Sequence, residues 1–188
     1  MKLTLKQVQN ILKENWPQEI TTDIVAYSQR NEKWRNHLMI NRTVGSVGCA
    51  ITCCAMLATQ FDKNVTPASL NSFLRNNSGY TNDNCIYWAK LSEFVPQIKF
   101  RNYYTWRNSK ADINLVLSEL KNQPVLLQVD FYPGGYLNSH FVLATHHEND
   151  DIAIIDPWDG SRTKLLQRYA VNGWSLERAI YAMVLYTW

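Results

Sequence analysis

The apolar positions change period once along the chain. Leu5, Val8, Ile11 and Leu12 recur at helical spacing behind a Thr4-Leu-Lys-Gln7 capping box and stop at Asn15-Trp-Pro17, which predicts a short amphipathic helix. Residues 20–36 carry no clear period. Residues 50–57 are small or apolar on every side, so they predict a helix that must be buried, with Gly45 and Gly48 punctuating the approach to it. Thr66-Pro67 offers an N-cap and an N1 proline to a helix with Leu70, Phe73 and Leu74 on one face, closed by Asn76-Asn-Ser-Gly79. A further helix is predicted over about 83–95, with Cys85, Trp88, Ala89 and Phe94 inward and Pro96 ending it. Residues 98–104 alternate weakly and read as a strand or an extended connector. Asp112 then caps a helix whose Ile113, Val116, Leu117 and Leu120 fall on one face.

Beyond Pro124 the period shortens. Residues 125–130, 141–145, 152–155 and 179–186 are runs rich in β-branched and aromatic side chains, separated by turn residues such as Pro133-Gly-Gly135 and Glu148-Asn-Asp-Asp151. A helical first half followed by meandering strands describes an α+β fold with an antiparallel sheet. Without repeats or a linker, residues 1–188 are expected to form one domain, with 1–26 as a helical extension.

Composition narrows the function without naming it. With 46% hydrophobic and 19% charged residues, the 188-residue chain has enough apolar side chains for a core. Its net charge of +3 is scattered apart from the Gln29-Arg-Asn-Glu-Lys-Trp-Arg35 patch, so no nucleic-acid partner is expected. No apolar run approaches the about 18 residues that cross a bilayer, and Met1-Lys-Leu-Thr-Leu-Lys lacks the apolar stretch of a secretion signal. The expectation is a soluble protein, cytoplasmic or virion-associated rather than independently secreted, its compartment otherwise unknown. Four cysteines, Cys49, Cys53, Cys54 and Cys85, are too few and too bunched for a disulfide framework. Zinc held by three of these sulfurs with His37, His146 or His147 is an alternative, though the spacing matches no familiar site.

The chemistry centres on Gly45-Ser-Val-Gly-Cys49. A thiol on the first turn of a buried helix meets the positive end of the helix dipole, which favours thiolate; a nearby histidine would complete its activation. The alternative is that Cys49 simply fills the core, as most buried cysteines do. Ser139-His140-Phe-Val-Leu places a histidine where a turn enters an apolar strand, and Ile154-Ile-Asp156-Pro157 a carboxylate where the next strand runs out. If the turn at 148–151 folds these strands into a hairpin, His140 and Asp156 approach diagonally, on one face provided the register is even. The set is then Cys-His-Asp, with His140 taking the thiol proton and Asp156 orienting the ring. His140 also reads as a half-buried strand residue and Asp156 as a turn former. His146 and His147, near the turn, read as solvated.

Together, Tyr27-Ser-Gln29 with Trp34 after it, Gly48-Cys49 and its helix, Gln123-Pro-Val-Leu-Leu127, Ser139-His140-Phe-Val and Asp156-Pro-Trp158 resemble the papain-like cysteine peptidases. Within them the branch is that of the double-glycine leader peptidases of bacteriocin exporters and their free-standing bacterial and phage relatives. The resemblance implies a papain-like α+β fold, a helical lobe carrying the nucleophile packed on an antiparallel sheet lobe. It implies Cys49 as nucleophile, His140 as base and acid, Asp156 as orienting carboxylate, and Gln29 as side-chain donor to the oxyanion beside the Cys49 backbone N–H. It further implies a peptide or protein substrate, with no metal or organic cofactor. The chain carries no membrane or nucleotide-binding region of an exporter. Trp88, Tyr136 and Trp158, with Tyr80 and Tyr87, are candidates to line a substrate groove, or else core and rim packing. The alternatives are an endopeptidase of cell-wall stem peptides, a catalytically silent peptide-binding module, and a transferase using the same residues.

Overall fold

The capped helices form where their signals stand. In the computed structural model, which describes residues 23–171 and 173–188, the predicted helix around Leu5 to Leu12 lies outside the described residues. Val44–Val47 makes a single helical turn, α1, and Cys49–Ala58 forms α2, whose residues from Ile51 to Ala58 are all buried. The Thr66 side chain accepts from Ser69 N–H while Ser69 answers the Thr66 N–H, closing a capping box on α3, Pro67–Asn76. Asp112 accepts from Leu115 N–H to cap α5, Ile113–Leu120.

The helix predicted over 83–95 is corrected to α4, Lys90–Phe94. The residues before it are turned instead: Asn84 takes φ 63°, Tyr80 bridges Ile86, and Asn84 Oδ1 accepts from the backbone N–H groups of Ile40, Asn41 and Arg42. An asparagine that tolerates the left-handed region and binds backbone is a turn former, and it displaces the helical start. Cys85 is consequently exposed rather than inward, and Ala89 is exposed too.

Among the described residues six strands make one antiparallel sheet: β1 Lys99–Thr105, β2 Val125–Asp130, β3 Ser139–Glu148, β4 Asp151–Ile155, β5 Arg162–Lys164 and β6 Ala182–Thr187, in the order β1-β6-β2-β3-β4-β5. The last run is a strand only from Ala182, because Leu176–Ala179 turns as a short helix, α7, packed beside α6, Leu165–Tyr169. The strand period sorts side chains to two faces. Leu126, Leu143, Ile155, Val184 and Tyr186 join α2, α3 and α4 in one core. Val125, Leu127, Val142, Ala144, Ile154 and Met183 pack against α5, α6 and α7 in the other. The central strands are therefore buried on both sides, which is why β2 reads as a continuous apolar run instead of an alternating one. No helix among the described residues is long and apolar enough to cross a membrane.

Candidate active site

Register decides which side chains meet. Near the turn Glu148 pairs with Asp151 and His147 with Ile152; carried on unbroken, that register would set His140 against Asp159 and turn His140 and Asp156 to opposite faces. Between Ala144 and His146 the ladder slips, so that Leu143 pairs with Ile155. Extended, the new register sets His140 against Trp158, an even step from Asp156, and both side chains share the face covered by α6. The Thr145 hydroxyl, 3.2 Å from Ala153 O, donates across the slip.

Asp156 is fully buried and every lone-pair direction is used. Its Oδ1 accepts from His140 Nε2 at 2.9 Å and from the Trp158 N–H at 2.9 Å. Its Oδ2 accepts from Arg168 Nε at 2.6 Å and from the Tyr169 hydroxyl. Burial alone would raise this carboxyl, but the hydrogen bond and charge of His140, with Tyr169 and the Trp158 N–H, hold it below the usual carboxylate value.

Nε2 of His140 is committed to Asp156, and Cys49 is the ring's second partner, acting on it through a hydrogen bond and charge. The two residues come from opposite sides of the sheet, Cys49 from α2 and His140 from the α6 face. They meet because β4 leaves the ladder after Ile155, and Pro157, next in line, has no N–H to give. The exposed backbone edge of Phe141 is taken up by α2 instead: its N–H bonds the Cys49 sulfur, and its carbonyl accepts from Cys53 Sγ at 3.4 Å. Burial by itself pushes the Cys49 thiol up, yet the hydrogen bond and charge of His140, with the N–H groups of Phe141 and Ala50, bring it below its ordinary value. Burial likewise opposes protonation of His140, and Asp156 and Cys49 overcome it, lifting the ring to about 9. Both shifts run in the direction that favours a thiolate beside an imidazolium.

The approach to Cys49 leaves no room for a side chain at either of its glycines. A Cβ on Gly48 would lie 2.4 Å from Val44 O, and one on Gly45 would lie 2.7 Å from Arg35 O. Gln29, buried, ties this segment to the carboxylate loop: its backbone N–H donates to Pro157 O at 2.6 Å and its Nε2 to Gly45 O at 3.1 Å. Gly45 O uses one Nε2 hydrogen, and the second is uncommitted among the described residues.

Of the aromatic candidates, Trp88 stacks edge-on against Phe141, ring centroids 5.2 Å apart, and Trp158 meets Phe131 at 5.0 Å, which in turn meets His140 at 5.0 Å. Tyr136 is fully exposed on the 131–138 loop and, among the described residues, has no ring or hydrogen-bond partner. Tyr80 is buried, with its hydroxyl on Asn71 Oδ1. The three clustered sulfurs diverge, Cys53 toward Phe141 and Cys54 toward the Tyr186 hydroxyl, and no three His, Cys, Asp or Glu among the described residues converge on a metal position. His146 and His147 lie in the extended β3 rather than the turn, half-buried, with His146 Nδ1 3.1 Å from the Thr145 hydroxyl. Arg168 and Tyr169 were not singled out by sequence reasoning. They sit on a five-residue helix whose only sign was a weak apolar period, Leu165, Leu166 and Tyr169.

The model of the Peptidase_C39 like family matches residues 21–183 of the chain. A search of curated proteins returned no match. Among solved structures, a double glycine motif protease from an AMS/PCAT transporter, in complex with the leader peptide, is similar at 14% identity over 73% of this chain and 82% of its own, with a TM-score of 0.48. The peptidase domain of Streptococcus ComA, a bi-functional ABC transporter of a quorum-sensing pathway, is similar at 15% identity over 74% of this chain and 90% of its own, with a TM-score of 0.47.

Proposed function

Because this chain belongs to the Peptidase_C39 like family and is a cysteine peptidase, we propose that it hydrolyses a peptide amide bond through a thioester on Cys49, with His140 and Asp156 completing a triad. The Cys49 thiolate adds to the scissile carbonyl, and the carbonyl oxygen takes up the negative charge. Gln29, through its second Nε2 hydrogen, and the Cys49 backbone N–H receive that oxyanion. His140 gives its proton to the leaving amine as the C–N bond breaks, leaving the acyl group on sulfur. The neutral ring then takes a proton from water, whose oxygen attacks the thioester, and the acid product leaves as the thiolate is restored. Asp156 holds the ring through Nε2 in both half-reactions. Trp88, packed on Phe141, and Trp158, packed on Phe131, form the rim against which the substrate chain lies; Tyr136 extends that rim outward on its loop.

The observation that carries this reading is that the His140 ring has two partners, a buried carboxylate on Nε2 and the Cys49 thiol. Profiling a mixed peptide library with the wild type, Cys49→Ala and His140→Ala tests it. Cleavage by the wild type alone is expected, and wild-type-like hydrolysis by either variant would reject it.

A further inference from the structure

We propose that Arg168 and Tyr169 are positioning residues of this site, occupying one oxygen of Asp156 so that the other is reserved for His140 and the carboxylate's charge is balanced. The inference rests on the triad reading above and adds two side chains to it. Carboxylates bury badly, and a fully buried one beside an imidazolium has two possible failures: it can rotate away from the ring, or its uncompensated charge can oppose the nearby thiolate. Arg168 answers both. Its Nε lies 2.6 Å from Asp156 Oδ2, while Nη2 holds Asp159 Oδ2 at 2.7 Å and Nη1 holds Ser161 Oγ at 2.8 Å, so the planar fork is fixed at three points. The Tyr169 hydroxyl donates to the same Oδ2, and its ring packs on His140 at 5.5 Å between centroids.

The charged and titratable groups around the carboxylate are His140 on β3, Asp159 in the turn, Arg168 and Tyr169 on α6, and Cys49 and Cys53 on α2. With Arg168 present, thiolate, imidazolium, the Asp156 and Asp159 carboxylates and guanidinium sum to one negative unit; without it the cluster carries two, and further ionisation of sulfur is opposed more strongly.

A clamp that merely closed the 156–161 turn would act on stability and leave the thiol's titration alone, so the readout is the pH dependence of Cys49 alkylation by iodoacetamide in a Cys85→Ser background, alongside kcat and KM. Arg168→Gln is expected to move the alkylation midpoint up by about one pH unit, roughly a tenfold loss of thiolate at pH values below it, and to lower kcat with little change in KM. Arg168→Lys, which keeps the charge, is expected to restore most of the midpoint. Tyr169→Phe, a smaller change that keeps the ring packing, is expected to move it in the same direction by less. An unchanged midpoint in both Arg168→Gln and Tyr169→Phe, or equal shifts in Arg168→Gln and Arg168→Lys, would overturn the inference. If Arg168→Gln does not fold, Tyr169→Phe alone decides. Failure of the triad reading is separately visible, as hydrolysis that survives Cys49→Ala.

Discussion

His140 and Asp156 face one another, Nε2 to Oδ1 at 2.9 Å, because the hairpin that carries them slips by one residue at Thr145. The carboxylate is also the hub of the loop that follows it, through Trp158, Tyr169 and Arg168. Replacing it therefore strands several donors at once. Asp156→Asn is expected to lower kcat by about 10³- to 10⁴-fold, the scale seen when a triad carboxylate becomes an amide. It is also expected to cost about 3 kcal/mol of stability, because an amide opposes the guanidinium with part of its surface as donor. Steady-state kinetics and denaturant unfolding check the two separately.

The pH dependence follows from two opposed shifts. The His140 ring is raised above its ordinary 6.5 to about 9, so the stabilisation it brings is fully present below about 6.5 and is lost as pH rises through about 9. The Cys49 thiol is lowered, so its contribution is present above the ordinary thiol value and is lost as pH falls through the lowered one. The ion pair occupies the window between. A bell-shaped kcat/KM profile is expected, with an alkaline limb near pH 9 that reports loss of the imidazolium proton. At the acid end, the lowered Asp156 adds stability that is lost as pH falls below its ordinary 3.8.

Gln29→Ala separates oxyanion binding from nucleophile activation. The expected result is a loss of about 10²- to 10³-fold in kcat, with Cys49 alkylated at close to the wild-type rate. Equal losses in both measurements would mean that the tie from Gln29 to Gly45 O serves only to hold the helix.

Gly48→Ala tests how the sulfur is placed. The added Cβ would run into Val44 O at 2.4 Å, which is backbone and has nowhere to go, so α1 and α2 must part. A destabilisation of about 1–3 kcal/mol is expected, together with slower alkylation of Cys49 at fixed pH. Both are read from unfolding curves and mass-resolved labelling.

Much of this arrangement was legible in the chain itself, where a local signal settles a local outcome. The Thr66 and Asp112 caps, the apolar run after Cys49 and the first three strand-like runs each became the element they announced, and the fourth did so from Ala182 onward. The paired positions of His140 and Asp156 were legible only up to parity, since counting from the turn gives the odd register and nothing in Ala144-Thr-His146 marks a slip. The helix over 83–95 failed because three backbone N–H groups of a distant loop converge on Asn84, a long-range demand that no spacing carries. For the same reason Arg168 was invisible. Its partners, Asp156, Asp159 and Ser161, are gathered by a turn whose shape the sequence does not spell out.

The claim beneath all of this is that the His140 ring ionises the Cys49 sulfur. Its most direct test is the rate of Cys49 alkylation against pH, compared between the wild type and His140→Ala, both in the Cys85→Ser background. The account predicts a midpoint below the ordinary 9.0 in the wild type that moves to or above that value once the ring is gone, because burial, the largest influence on the thiol, is then opposed only by the Phe141 and Ala50 N–H groups. Superimposable curves for the two proteins would contradict it.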